Sequence, residues 1–185
     1  MISDFRDIVN SLDRDEEVHL ARIIILISAF TEHGERALNG ITKLAKLDFL
    51  LRYPNALERA LKVRNIGAKS LEIEDYEKLA VEASMIRYRY GPWDHRYRRF
   101  LNILTAKKLT YVSYAGRTIN IHITSSGKSL AAELAELEEF GKINRRAKIL
   151  AKHFDKSPSW LTDFVYSTFP EITETDFNED IWVRE

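Results

Sequence analysis

A mostly helical α+β fold with one small β hairpin is predicted by two features of the sequence. Apolar residues recur at helical spacing over most of its 185 residues, and one stretch, Leu109 to Ile123, is β-rich and broken by Ala115-Gly116-Arg117. Without cysteine there is no disulfide framework, thiolate zinc site or Cys nucleophile, which fits a reducing cytoplasm. The length suits one well-buried core, and an apolar share of 45% is ordinary for a soluble globular protein. Met1 to Asn10 carries Asp4 and Asp7 and no apolar h-region, so no signal peptide is expected.

From Leu20 to Phe30, nine of eleven residues are apolar, Arg22 and Ser28 being the exceptions. A bilayer span needs about 20 such residues, so this is read as a buried helix and the spine of the core. Thr42 is expected to cap a second helix, in which Leu44, Leu47 and Leu51 share a face. Tyr53-Pro54 ends it, and Pro54 suits the first position of a third helix with Leu57 and Leu61 inward. Asn65 to Leu71 is read as loop and Asp75 to Ser84 as a further helix. Met85 to Tyr90 alternates like a strand until Gly91-Pro92 breaks it. Asp94 is the expected N-cap of a helix from His95 to Lys108, with Tyr97, Phe100, Leu101 and Leu104 buried and Arg98, Arg99 and Asn102 outward. Two strands follow, Leu109 to Tyr114 and Thr118 to Ile123, with Arg117 at or near the tip of the hairpin. Thr124 or Ser125 starts the next helix, which Gly141 should interrupt, and Ser157-Pro158 starts the last. Beyond Pro170 an acidic tail carrying Trp182 is expected to stay disordered until it meets a partner.

Charge is distributed unevenly. Formal charges cancel overall, yet Met85 to Lys128 holds Arg87, Arg89, Arg96, Arg98, Arg99, Lys107, Lys108, Arg117 and Lys128 against Asp94 alone, a net of +8. The residues before it sum to −3 and those after it to −5. Because salt screens charge beyond roughly 8 Å, it is this local sum that selects a partner: a polyanion or an acidic protein surface.

Catalytic patterns are missing. Ser125-Ser126-Gly127-Lys128-Ser129 sits between a strand and a helix, as a phosphate loop would, but the first glycine of that motif is replaced by His122, leaving a capped helix start as the better reading. The five histidines are scattered without metal-ligand spacing, and no nucleophile pairs with a base, so neither a metal, a cofactor nor an enzymatic activity is expected.

The order helix, helix, basic helix, hairpin, helix is that of a winged helix-turn-helix domain. Here it would occupy residues 1–140 with an insertion at about 54–94, followed by a helical extension at 141–170 and the acidic flexible tail at 171–185. In that reading Arg98, Arg99 and Asn102 face bases or phosphates and Arg117 a neighbouring phosphate; the competing reading is a protein-docking module. The string Lys46-Leu47-Asp48-Phe49-Leu50-Leu51-Arg52-Tyr53-Pro54, within Ile41 to Pro54, precedes Arg87-Tyr88-Arg89-Tyr90-Gly91-Pro92-Trp93-Asp94 and the helix–wing unit. Together they resemble the middle component of bacterial ABC three-component systems, with the Lamassu-type anti-phage and anti-plasmid operons closely related. The resemblance covers roughly Leu20 to Leu137. It implies a non-catalytic subunit that docks on an SMC-like ATPase beside an effector, often a nuclease, and couples sensing of foreign DNA to effector release. Asp48 and Arg52, one turn apart, could orient a partner-binding surface as an i,i+4 pair, and Trp182 would dock a protein. The alternative is a free-standing winged-helix transcriptional regulator, dimeric through the helix from Ser126 to Phe140.

Overall fold

The computed structural model describes residues 16–31, 37–74, 77, 84–86, 96–174 and 180–182. The chain is mostly helical with a small three-stranded antiparallel sheet. Helix α1 (Glu16–Thr31) is the spine: Ile23 through Ile27 are all buried, so it is enclosed on every side, as its nearly unbroken apolar run requires. Strand β1 (Leu38–Asn39) leads into α2 (Ile41–Arg52) and α3 (Pro54–Val63). Pro54 stands in the first turn of α3, where its missing N–H costs nothing. Gly40, not Thr42, caps α2. The chain turns there at φ +91°, a conformation that favours glycine, with Gly40 N donating to the Ile119 carbonyl at 2.7 Å.

A 3₁₀ turn (Lys69–Leu71) lies in the expected loop, and β2 (Ser84–Ile86) takes the end of the stretch expected to be helical. The remainder of that stretch, apart from Glu77, lies outside the described residues. Helix α4 (Tyr97–Ala106) runs into the hairpin β3 (Thr110–Ala115) and β4 (Thr118–Ile123), then α5 (Ser125–Ala135), α6 (Glu138–Phe154), α7 (Pro158–Thr168), the single turn α8 (Glu171–Glu174) and β5 (Asp180–Trp182). The sheet order is β1-β4-β3, with Leu38 opposite Ile121 and Thr110 opposite Ile123. Asp94, the expected cap of α4, lies outside the described residues.

The expected break at Gly141 falls instead at Glu136–Leu137, and Gly141 is an early residue of α6. Leu137 is extended, and Glu138 and Glu139 in the first turn suit the positive end of the new helix dipole. The single helix expected from Ser126 to Phe140 is therefore two. Ala147, Leu150, Phe154, Leu161 and Val165 join Ile23–Ile27 in one core.

The chain from Arg64 to Glu77 is tied to α6 by charged side chains. Arg146 reaches Glu77 through both ends of its guanidinium, at 2.8 and 2.9 Å; Arg145 meets Glu72 at 3.0 Å, Lys142 meets Glu74, and Arg64 donates to the His153 carbonyl. After Pro170 only residues 171–174 and 180–182 of the expected tail are described. Ile172 is fully buried, Glu171 pairs with Arg59 at 2.6 Å, and β5 pairs antiparallel with β2, placing Trp182 opposite Ser84. Ile172, an apolar residue among the acids, is what the described part of the tail buries. No helix of the described residues is long and apolar enough to cross a membrane.

Candidate nucleic-acid interface

Helix α4 is fixed from below by a buried ionic cluster. Asp48 on α2 is 2% exposed and accepts from Arg22 Nε at 2.7 Å, Arg22 Nη2 at 3.0 Å and the Tyr97 hydroxyl at 2.6 Å. Arg22 Nη2 also lies 2.9 Å from His19 Nδ1. A guanidinium has only donors, so Nδ1 accepts and the ring proton sits on Nε2. The His19 ring in turn stacks on Phe100, centroids 5.4 Å apart. Two residues of α4 thus rest on one buried charge pair. Burial alone would pull the Arg22 guanidinium down, but the charge of Asp48 and its hydrogen bond outweigh this and hold it above its ordinary value. Burial first, then the neighbouring carboxylate, push the Tyr97 phenol well above its usual range.

The inward stripe Tyr97, Phe100, Leu101 and Leu104 leaves Arg98, Arg99 and Asn102 exposed. At the C-terminus, Leu109 N bonds the Leu104 carbonyl and Lys108 N the Thr105 carbonyl, both at 2.9 Å, with Lys108 left-handed at φ +58°. This is a Schellman closure with lysine where glycine is usual. The hairpin turns through Gly116, φ +60°, and Arg117, so a glycine takes the first central position and a cation the tip.

Thr124 then binds the base of the hairpin to α5. Its hydroxyl accepts from Gly127 N at 3.0 Å and lies 2.8 Å from the Lys108 carbonyl, to which it donates. A Cβ on Gly127 would sit 2.1 Å from the Leu109 carbonyl oxygen. The glycine in Ser125–Ser129 is thus explained by close helix–strand packing, in keeping with the capped-helix reading. Lys107 and Lys108, at the end of α4, and Lys128, in the first turn of α5, are drawn to the same end of the hairpin.

Arg98, Lys107, Lys108, Arg117 and Lys128 are exposed, and none forms a salt bridge among the described residues. Arg22, Lys43, Arg59, Lys142, Arg145 and Arg146, outside the block, each meet an acid. Within the block Arg99 pairs with Glu16 at 2.7 Å, and Arg96 lies over the Phe100 ring at 5.5 Å. Arg87 and Arg89 lie outside the described residues, as does the Trp182 side chain.

Asp48 and Arg52 do not form the surface expected of them. Asp48 is interior, its oxygens taken by Arg22 and Tyr97, while the Arg52 guanidinium lies 5.4 Å from the Tyr53 ring. The one available signal was Arg22, the only charge in the apolar run from Leu20 to Phe30, which demanded a buried acid. Among the described residues no three His, Asp or Glu side chains gather as a metal site. Comparison of the chain with protein-family models, with curated proteins and with solved structures finds no match to any of them.

Proposed function

We propose that the chain is a winged-helix module serving as a non-catalytic accessory subunit of an SMC-like ATPase defence complex, with α4 and the β3–β4 wing contacting double-stranded DNA. The observation that carries this reading is the set of exposed cations, without acid partners among the described residues, on α4, at the wing tip and at the start of α5. The order α1-β1-α2, then α4-β3-β4, with β1 bonded to β4, supports the winged-helix assignment, and α3 with the chain to Ile86 is then the insertion. An unpaired cation on a surface gains little from its own protein and is available to a phosphate. The ATPase and effector partners rest on the resemblance of the Lys46–Pro54 string and the segment from Arg87.

The test combines duplex binding by the purified chain across salt concentrations with co-purification from native cells. Weak, sequence-independent binding that strengthens with falling salt, lost in Arg98→Glu with Arg117→Glu, together with capture of a coiled-coil ATPase, is the expected result. Tight binding to one duplex sequence without an ATPase would instead make the chain a transcriptional regulator. Unchanged binding in the charge-reversal variant would remove the basic face from the argument.

A further inference from the structure

Tyr111 is 51% exposed on β3, the edge strand of the sheet, directly opposite His122 on β4. The two rings lie 4.5 Å apart and 3° from parallel, and His122 Nε2 is 2.9 Å from the Ser113 hydroxyl, which fixes the imidazole plane. One face of Tyr111 is therefore covered by a ring held in place. Among the described residues its other face makes no ring contact, and the side chain is half exposed at the sheet edge.

An oriented, half-exposed aromatic flanked by cations is a stacking platform. Lys107 and Lys108 stand just before β3 and Arg117 at the far end of the hairpin; six residues of strand separate them by about 20 Å, a few nucleotides of extended strand. In a duplex both faces of every internal base are already stacked on neighbours, so a lone aromatic face on the wing has nothing there to bind. An unpaired base has a free face, and its flanking phosphates suit the cations at either end.

We propose that the outer edge of the wing is a binding site for single-stranded DNA, in which an unpaired base extends the His122–Tyr111 stack while Lys107, Lys108 and Arg117 hold the phosphates. The site rests on the reading of the basic face as a DNA contact and adds to the duplex contact a second one, for DNA that is locally unpaired.

The full chain is titrated with a 20-nucleotide oligothymidylate and with a 20-base-pair duplex. Tyr111→Ala should weaken oligothymidylate binding by roughly 5- to 150-fold and duplex binding by less than twofold, with Tyr111→Phe close to the parent. Tyr111→Thr, which keeps strand propensity, serves the same purpose should the alanine variant melt early. Photocrosslinking with 5-iodouracil in the oligonucleotide should modify the peptide holding Tyr111. Losses equal for both DNAs, an oligothymidylate affinity unchanged in Tyr111→Ala and Tyr111→Thr, or crosslinks only elsewhere would overturn the stacking site while leaving the basic face standing. Failure of the parent chain to bind either DNA would overturn both.

Discussion

Arg22 and Asp48, 26 residues apart, meet in a two-point ion pair inside the core, Nε to Oδ1 at 2.7 Å and Nη2 to Oδ2 at 3.0 Å. A charge pair taken out of water is held mainly by what its loss would leave behind. Asp48→Ala strands the guanidinium and should cost about 3–5 kcal/mol. Arg22→Met with Asp48→Leu removes both charges and should cost far less, since it leaves no buried ion. Tyr97→Phe, deleting only the hydroxyl that donates to Oδ2, should cost about 1–2 kcal/mol. Chemical denaturation of the three variants reads the order; a double variant less stable than Asp48→Ala would mean that the pair is worth more than its desolvation.

The pair also marks what the sequence can and cannot disclose. Helix α1, the start of α3 at Pro54, the hairpin and the caps at Thr124 and Ser157 all follow from signals within a few residues of each feature. Asp48 invited pairing with Arg52 because the i+4 spacing is visible in one dimension, whereas Arg22 reaches it only after α1 and α2 pack. The same holds for Arg146 with Glu77, and for Arg59 with Glu171, which lie 69 and 112 residues apart. Gly40 displaced Thr42 as the cap because strand β1 ends in a positive-φ turn that a local capping pattern does not encode. The exposed cations, by contrast, were readable, since only their lack of acid partners needed coordinates.

Lys46 lies on the same helix as Asp48 and is 1% exposed; burial pushes its ammonium down from 10.5 to about 8. Between pH 8 and 10.5 an unfolded lysine still holds the proton that the folded one has released, so unfolding takes up a proton and stability rises with pH. The contribution is complete above the unfolded value and lost as pH falls through about 8. Denaturation midpoints between pH 7 and 10 should show the parent gaining on the order of 2–3 kcal/mol relative to Lys46→Met. Above pH 10 the raised Tyr97 phenol acts in the opposite sense, since the unfolded tyrosine ionises first and draws the chain apart. Parallel pH profiles for the parent and Lys46→Met would refute the lysine assignment.

Gly127→Ala should be among the most damaging small substitutions in the chain. Its Cβ would meet the Leu109 carbonyl oxygen at 2.1 Å and Ile123 Cγ1 at 2.8 Å, and a backbone oxygen already bonded to Thr124 N cannot swing aside. Moving α5 away would also break the Thr124 cap, so a loss of at least about 3 kcal/mol is expected. Gly67→Ala is the control: a Cβ there meets nothing within 4 Å, and thermal melting should place it within a few degrees of the parent.

Lys108 separates stability from function. Its left-handed backbone closes α4, a position where glycine has no steric cost and a side chain costs up to about 1 kcal/mol. Lys108→Gly should therefore leave the fold as stable as the parent or slightly more so. If the cation is there for phosphate, the same variant should bind duplex DNA more weakly, with the slope of log affinity against log salt reduced by about one. Lys108→Asn, which also tolerates the left-handed region, should match the loss in binding without the added flexibility of glycine. A gain in stability with an unchanged salt slope would assign Lys108 to chance, whereas a stable variant that loses one phosphate contact would show a surface shaped by its ligand at a cost to the fold.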